Sequence, residues 1–107
     1  MQRTVIIIPT YNEIENIHLI IQAISELPKA FDILIIDDNS PDGTALKVKE
    51  IQKSNSHLHL LERKGKLGLG TAYITGFKWA LEHQYEYIFE MDADFSHDPN
   101  SLIPLME

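Results

Sequence analysis

Four short apolar segments alternate along the chain with three segments of helical periodicity, and this alternation limits the fold more than any other feature. The apolar segments are TVIIIP at 4–9, FDILIID at 31–37, HLHLL at 57–61 and YEYIFEM at 85–91. A helix between two strands carries the chain back across the sheet in a right-handed crossover, so consecutive strands lie parallel. The sequence therefore predicts an α/β fold, a mainly parallel sheet with helices on both faces, in a single domain over residues 1–107.

The three helices are predicted from their ends and their apolar faces. Asn12 is a candidate N-cap, because Glu15 follows three residues later as a capping-box partner. The other two helices are predicted from about Thr44 to Lys53 and from about Thr71 to His83. The side chains predicted to face the sheet are Ile14, Ile17, Ile20, Ile21, Ile24 and Leu27 in the first helix, Ala45, Val48 and Ile51 in the second, and Tyr73, Phe77, Ala80 and Leu81 in the third.

Charge and composition exclude several classes of function. The formal net charge is -7, from 16 acidic side chains against 9 Lys and Arg, which argues against general binding of nucleic acid. The chain has no cysteine, so disulfides, thiolate chemistry and a cysteine zinc site are excluded. We expect a cytoplasmic protein, since neither a secretory signal nor a run of membrane-spanning length is present.

Polar clusters follow three of the four predicted strands. They are PTYNE at 9–13, DDNSPDG at 37–43 and DADFSHD at 92–98. Parallel sheets bind ligands beyond the carboxyl ends of their strands. We therefore expect the three clusters to meet at one edge of the sheet and to form a single site there.

The first two clusters offer contacts to a nucleoside. Tyr11 could lie against a base or sugar, and Glu13 could accept hydrogen bonds from a base edge. Because side chains alternate along a strand, Ile36 and Asp38 point one way and Asp37 points the other. One of the two acids can then face the crevice while the other serves the turn backbone. The alternative, that both acids only cap the turn, stays open.

The third cluster has the composition of a cation site. Asp92 and Asp94 could bind one hard cation, Mg²⁺ or Mn²⁺, together with two phosphate oxygens of a ligand. The small Ala93 between them leaves room for that ligand. His97 either extends the metal site or faces solvent in a turn, and Asp98 before Pro99 is predicted to start a helix.

The glycine-rich stretch GKLGLGT at 65–71 does not match a known phosphate loop. The P-loop lysine is missing from it, and no dinucleotide-binding fingerprint follows the first strand. The glycines would let the chain turn closely under a ligand. Arg63, Lys64 and Lys66 would add positive charge there, or would simply be solvated.

The phrases IIIPTYNEIENI, ILIIDDNSPDGT, RKGKLGLGTAY and MDADFSHDP, in this order, resemble the family-2 glycosyltransferases of GT-A fold, most of all the dolichol-phosphate (polyprenol-phosphate) mannosyltransferases. The resemblance implies an enzyme with a Rossmann-like nucleotide-binding half. It would transfer mannose from GDP-mannose to a polyprenyl or dolichyl phosphate, with inversion at the sugar and with a divalent metal, Mg²⁺ or Mn²⁺. The residues that match the family's nucleoside pocket are Pro9, Tyr11, Glu13, Ile36 and Asp38. Those that match its metal and diphosphate site are Asp92, Ala93 and Asp94.

The implied chemistry agrees with the residues present. A metal on the leaving diphosphate stabilises its developing charge as a Lewis acid, which makes Asp94 the candidate catalytic residue. A phosphate acceptor arrives largely deprotonated near neutral pH, so no general base is required.

The family's domain continues past residue 107, and its second half supplies the acceptor site. We therefore expect this chain to be the nucleotide-binding half, with peripheral contact to the cytoplasmic face of a membrane left open. Two alternatives remain: a non-catalytic fragment that binds nucleotide sugar, and a relative that uses UDP-glucose or another donor. A two-component receiver domain is excluded, because its acid pair follows the first strand, whereas here the pair follows the second.

Overall fold

The computed structural model describes residues 3–27, 31–64 and 69–91, which form four strands and three helices in strict alternation. The elements are β1 (Thr4–Thr10), α1 (Ile17–Ser25), β2 (Asp32–Asp37), α2 (Thr44–Gln52), β3 (Leu58–Glu62), α3 (Leu69–Glu82) and β4 (Tyr87–Glu90). Within these residues the strands form one sheet of order β3-β2-β1-β4, and each neighbouring pair is parallel. The predicted α/β class is confirmed.

The two central strands are buried on both faces, which explains their unbroken apolar sequences. The face packed against α1 and α2 carries Ile6, Ile8, Ile33 and Ile35. The face packed against α3 carries Val5, Ile7, Leu34 and Ile36. Each fully buried side chain of this size stabilises the fold by about 1.5 to 3 kcal/mol relative to leaving it exposed. Helices therefore cover both faces of the sheet, as predicted.

The first helix begins later than the capping box indicates. Asn12 has a left-handed φ of 58°, and the N-cap of α1 is Asn16, which makes no side-chain capping bond. The N–H groups of Asn16 and Ile17 both donate to the Glu13 carbonyl, at 3.1 and 2.8 Å, and so form a turn before the helix. The prediction of Asn12 as N-cap is wrong, because asparagine tolerates the left-handed conformation and the chain turns there instead. Ile14 consequently lies outside the helix and is 37% exposed.

The inward face of α3 also differs from the prediction. Phe77 and Leu81 are 47% and 56% exposed, whereas Ala72, Gly76 and Ala80 lie against the sheet. A Cβ added to Gly76 would approach Cγ2 of Ile7 to 2.7 Å and Cδ1 of Ile36 to 2.8 Å. The helix thus packs through its small residues, with Tyr73 and Trp79 half-buried beside them. Ala80 was predicted correctly, and Phe77 and Leu81 were not.

Candidate functional site

The loops after β1 and β2 lie side by side at the carboxyl edge of the sheet. Thr10 and Asp37 are register partners, and the N–H of Asp38 donates to the Thr10 carbonyl at 3.1 Å. The structure therefore brings PTYNE and DDNSPDG together, as the parallel sheet requires. The third cluster, 92–98, lies outside the described residues, so the roles of Asp92, Ala93 and Asp94 stay predictions.

Asp37 is fully buried and serves the backbone and side chains around it. Its Oδ1 accepts hydrogen bonds from Thr10 Oγ1 at 2.7 Å and from Ser40 Oγ at 2.6 Å. Its Oδ2 accepts the Ser40 N–H at 2.9 Å. Charged acceptors make strong hydrogen bonds, so this carboxylate fixes the end of β2 and the start of its loop.

Asp38 points the other way and binds Arg63, which follows β3. The guanidinium makes a two-pronged contact, Nε to Oδ1 at 2.6 Å and Nη2 to Oδ2 at 2.8 Å, and both side chains are 9% exposed. Nη1 of Arg63 also donates to Thr71 Oγ1 on α3 at 3.1 Å. The pair therefore joins β2, β3 and α3 and holds the Asp38 carboxylate in a fixed orientation.

This ion pair was not predicted from the sequence, from which Arg63 was expected either to contact a ligand or to be solvated. The register of the sheet explains the pair, because Asp37 pairs with Glu62 and the next residues, Asp38 and Arg63, therefore lie side by side. Lys64 is exposed, and Lys66 lies outside the described residues.

The other members of the predicted nucleoside pocket divide into surface and buried positions. Tyr11 is exposed and Glu13 is half-buried, both in the loop after β1. Pro9 and Ile36 are buried neighbours in the register of β1 and β2. Tyr11 and Glu13 thus lie in the loop after β1, while Pro9 and Ile36 lie in the sheet, and the role of all four in a nucleoside pocket stays a prediction.

The described acids at this edge of the sheet are poor candidates for cation ligands. Asp37 accepts three hydrogen bonds, and Asp38 is engaged by Arg63 through both oxygens. Within residues 3–27, 31–64 and 69–91, no group of three His, Asp or Glu side chains could hold a metal ion. A cation at this site would therefore need ligands other than Asp37 and Asp38, and the assignment of Asp92 and Asp94 to it stays a prediction.

A groove of about 710 Å³ lies at the opposite end of the molecule, between the carboxyl-terminal ends of α1 and α2. Its lining includes Gln22, Phe31, Ile51, Asn55 and His57. It contains none of the residues predicted for the nucleotide site.

Comparison with known proteins assigns the family. A model of glycosyl transferase family 2 matches residues 5–107. The chain belongs to glycosyl transferase family 2. The predicted resemblance is confirmed at this level, and the solved structures that this family-2 glycosyltransferase resembles are of GT-A type.

Two curated relatives are similar to nearly all of this family-2 glycosyltransferase chain. A polyprenol monophosphomannose synthase from Mycolicibacterium smegmatis is 44% identical over 107 residues, which are 99% of this chain and 40% of that protein. An undecaprenyl-phosphate mannosyltransferase from Micrococcus luteus is 45% identical over 105 residues, which are 98% of this chain and 43% of that protein. The chain thus spans about two fifths of the length of these relatives.

Solved structures share its fold. A mannosyltransferase from Pyrobaculum calidifontis, in complex with GDP-Man and Mn²⁺, aligns with a TM-score of 0.74 at 30% identity and covers 86% of this chain and 27% of that one. Residues 1–349 of TarS from S. aureus align with a TM-score of 0.75 at 25% identity and cover 98% of this chain and 31% of that one. In the part of this glycosyltransferase that the structure describes, no helix has the length and apolar character needed to cross a bilayer.

Proposed function

We propose that this chain is the donor-binding part of a metal-dependent mannosyltransferase, which moves mannose from GDP-mannose to a polyprenyl or dolichyl phosphate with inversion at the sugar. The observation that carries the proposal is the meeting of the PTYNE and DDNSPDG loops at the carboxyl edge of a parallel sheet, in a chain 44% and 45% identical to two polyprenyl-phosphate mannosyltransferases. Ligands of open α/β sheets bind at this edge.

The nucleoside would be held by side chains of the two loops. The exposed ring of Tyr11 offers an aromatic face to the base or ribose. Asp38, oriented by Arg63, offers carboxylate oxygens as acceptors for N–H or O–H groups of the ligand. Glu13 offers a second acceptor at the edge of the base. Pro9 and Ile36 complete the pocket from below.

The diphosphate would be held by Asp92 and Asp94 through a divalent cation. The Mn²⁺ in the structure with GDP-Man supports a divalent cation for this fold, and both Mg²⁺ and Mn²⁺ suit carboxylate ligands. When bound, the cation supplies Lewis-acid stabilisation of the leaving diphosphate. Asp92 and Asp94 would hold this cation, and the small side chain of Ala93 would leave room for the phosphates. The acceptor, a phosphate monoester, needs no general base.

A second candidate is binding of nucleotide sugar without turnover. The chain spans about two fifths of the length of its curated relatives, so a polypeptide of the relatives' length is needed to distinguish the two candidates. We propose that transfer takes place at a membrane surface, because the two relatives are named for undecaprenyl phosphate and for polyprenol monophosphomannose, which carry long lipid chains. We propose the cytoplasmic face of that membrane, as expected from the sequence.

Calorimetric titration tests the donor site directly. The chain is titrated with GDP-mannose, GDP and UDP-glucose, each with Mn²⁺, with Mg²⁺ and without a divalent cation. We expect GDP-mannose and GDP to bind in a cation-dependent manner and UDP-glucose to bind more weakly. Preferred binding of UDP-glucose would reassign the donor, and absence of nucleotide binding by a folded chain would contradict the site.

Two carboxylate variants separate the metal site from general charge effects. Asp94→Asn should remove the cation dependence of GDP-mannose binding, whereas Asp98→Asn, at a predicted helix start, should leave it intact. Equal loss in both variants would contradict the assignment of Asp94 to the metal. A polypeptide extended to the relatives' length, assayed for mannosyl transfer, then distinguishes an enzyme from a binding fragment.

A further inference from the structure

Three consecutive backbone amides in the loop after β1 donate to side chains of the loop after β2. The N–H of Asn12 donates to Ser40 Oγ at 2.9 Å, that of Glu13 to Thr44 Oγ1 at 3.1 Å, and that of Ile14 to Asp42 Oδ2 at 3.2 Å. The three acceptors come from a stretch of five residues, 40–44. We call this set of hydrogen bonds the loop clamp.

The acceptors of the loop clamp are themselves fixed. Ser40 donates its hydroxyl to buried Asp37 at 2.6 Å, and Thr44 donates its hydroxyl to Asp42 Oδ1. The Thr44 N–H donates to the same oxygen at 3.0 Å. Between them Gly43 takes a φ of 90°, a conformation that favours glycine and turns the chain from Asp42 into α2. The acceptors of the clamp are therefore held in place by residues of their own strand and loop.

The clamped amides have no helical partner that could replace these bonds. They precede α1, which begins at Ile17, and Asn12 holds a left-handed φ that no helix contains. The three clamped residues, 12–14, follow Tyr11 directly and include Glu13. Tyr11 and Glu13 are the two loop positions of the proposed nucleoside pocket. The shape of this ligand-facing loop thus depends on side chains of its neighbour.

We propose that Ser40, Asp42 and Thr44 are positioning residues, which hold the Tyr11–Glu13 loop in the conformation that receives the nucleoside. The proposal rests on the proposed function, because it concerns the same site. These residues need not contact the nucleotide; they act through the backbone of the loop. The SPDGT part of the sequence is thus explained as a clamp for the PTYNE part.

Asp42 must accept hydrogen bonds through both of its side-chain oxygens, which asparagine, its closest analogue, cannot do. Its Oδ1 serves Thr44 and its Oδ2 serves Ile14, so both oxygens must accept, whereas asparagine offers one acceptor oxygen. Burial opposes ionisation of Asp42, but hydrogen bonds from the Thr44 side chain and from backbone N–H groups outweigh it and hold its pKa below 3.8. The carboxylate is therefore ionised, with both oxygens accepting, at neutral pH.

The loop clamp is tested with variants of Thr44 in the 107-residue chain. Thr44→Val keeps the shape of the side chain but removes the acceptor for the Glu13 N–H, and Thr44→Ser retains that acceptor. Amide hydrogen exchange, followed residue by residue by NMR, reports on the clamp, and titration with GDP-mannose and Mn²⁺ reports on binding. Thr44→Val removes both the acceptor for the Glu13 N–H and the hydroxyl that donates to Asp42, so it should speed exchange at Glu13 and weaken GDP-mannose binding by at least about fivefold each. Thr44→Ser should restore both quantities.

Thr4→Val is the matched control. Thr4 is a buried threonine at the other end of β1, and its hydroxyl has no hydrogen-bond partner among the residues that the structure describes. Its replacement should change neither exchange at Glu13 nor nucleotide affinity. Ser40→Ala provides a second test at a half-buried position, where faster exchange is expected at Asn12, and it decides the proposal if Thr44→Val does not fold.

The outcomes separate this proposal from the proposed function. If Thr44→Val speeds exchange at Glu13 but binds GDP-mannose as tightly as the unaltered chain, the positioning role is wrong and the proposed function stands. If the Glu13 amide exchanges at the same rate in Thr44→Val and in the unaltered chain, the loop clamp itself is wrong. If the unaltered chain binds no nucleotide, the proposed function and the positioning role both fail, and the exchange rates show independently whether the clamp exists.

Discussion

Asp37 and Asp38 are adjacent, chemically identical residues with different partners. The strand geometry turns Asp37 towards Thr10 and Ser40 and turns Asp38 towards Arg63. This division was predicted from the alternation of side chains along β2. The partner of Asp38 was not, because a sequence read one segment at a time does not show which residues of two neighbouring strands lie in register.

At the residue scale, the side chain of Tyr85 has a strongly raised pKa. Burial of its ring, its hydrogen bond to Asp32 Oδ2 and the nearby charge of Asp32 raise its pKa to about 12. The guanidinium of Arg3 lies 4.3 Å from the ring centroid and opposes this shift. The folded state therefore holds the phenolic proton more tightly than the unfolded state, whose tyrosines have a pKa of 10.0.

Because the folded state binds this proton more tightly, the free energy of unfolding should fall as the pH rises through the alkaline range. The contribution of Tyr85 to the free energy of unfolding is fully present below pH 10 and is lost as the pH rises from 10 towards 12. We expect the stability difference between the unaltered chain and Tyr85→Phe to fall by about 2 kcal/mol over this interval. Urea unfolding of both proteins at several alkaline pH values measures it. A difference that stays constant from pH 9 to 12 would contradict the raised pKa.

At the element scale, strands were predicted more accurately than helices. Four strands were predicted, and four lie within the described residues, each overlapping its predicted segment closely. Strand identity depends on local runs of β-branched residues, which the sequence displays directly. The start of α1 and the face of α3 depend instead on contacts with other elements, namely the loop clamp and the approach of Gly76 to the sheet. Among the small residues through which α3 packs, Ala80 was predicted to face the sheet, whereas Ala72 and Gly76 were not.

Two glycines of α3 give opposite predictions. Gly76→Ala should lower the free energy of unfolding by about 1 to 3 kcal/mol, because the added methyl group would collide with Ile7 and Ile36. Gly70→Ala should raise it by up to about 1 kcal/mol, since no atom lies within 4 Å of the added Cβ and alanine favours the helix. Denaturant unfolding of both variants provides the comparison. Stabilisation by Gly76→Ala would show that α3 does not pack against the sheet through this residue.

At the scale of the whole molecule, the candidate site and the stability of the fold share one interaction. Arg63 connects the ends of β2 and β3 with the start of α3 through Asp38 and Thr71. The same contact orients the carboxylate proposed for the nucleoside. A change at Arg63 is therefore expected to affect both folding and binding. The sequence predicted that the PTYNE and DDNSPDG clusters meet at one edge of the sheet, and the structure confirms this meeting. The third cluster falls outside the described residues, so its part in the site remains a prediction.

A double-mutant cycle measures this interaction. Arg63→Met should lower the free energy of unfolding by about 3 kcal/mol, because it leaves the buried Asp38 carboxylate without its guanidinium. Asp38→Asn in the same chain should recover most of the loss by removing the charge. Chemical denaturation of the two single variants and the double variant gives the coupling free energy. Strictly additive effects would show that the pair contributes nothing beyond its separate residues.

Because β1 lies between β2 and β4 in the sheet, its two partner strands are synthesised at different times after it. Val5 pairs with Asp32 on one side and with Ile88 on the other, and the second partner lies more than 80 positions later in the chain. At a translation rate of about 5 to 20 residues per second, that partner is made roughly 4 to 17 seconds after β1. Among the four described strands, the strongly apolar β1 is synthesised first, and the edge of β1 that pairs with β4 has no partner strand during this interval. Pro9, which has no amide hydrogen, removes one donor from the waiting strand and so weakens it as a template for other chains.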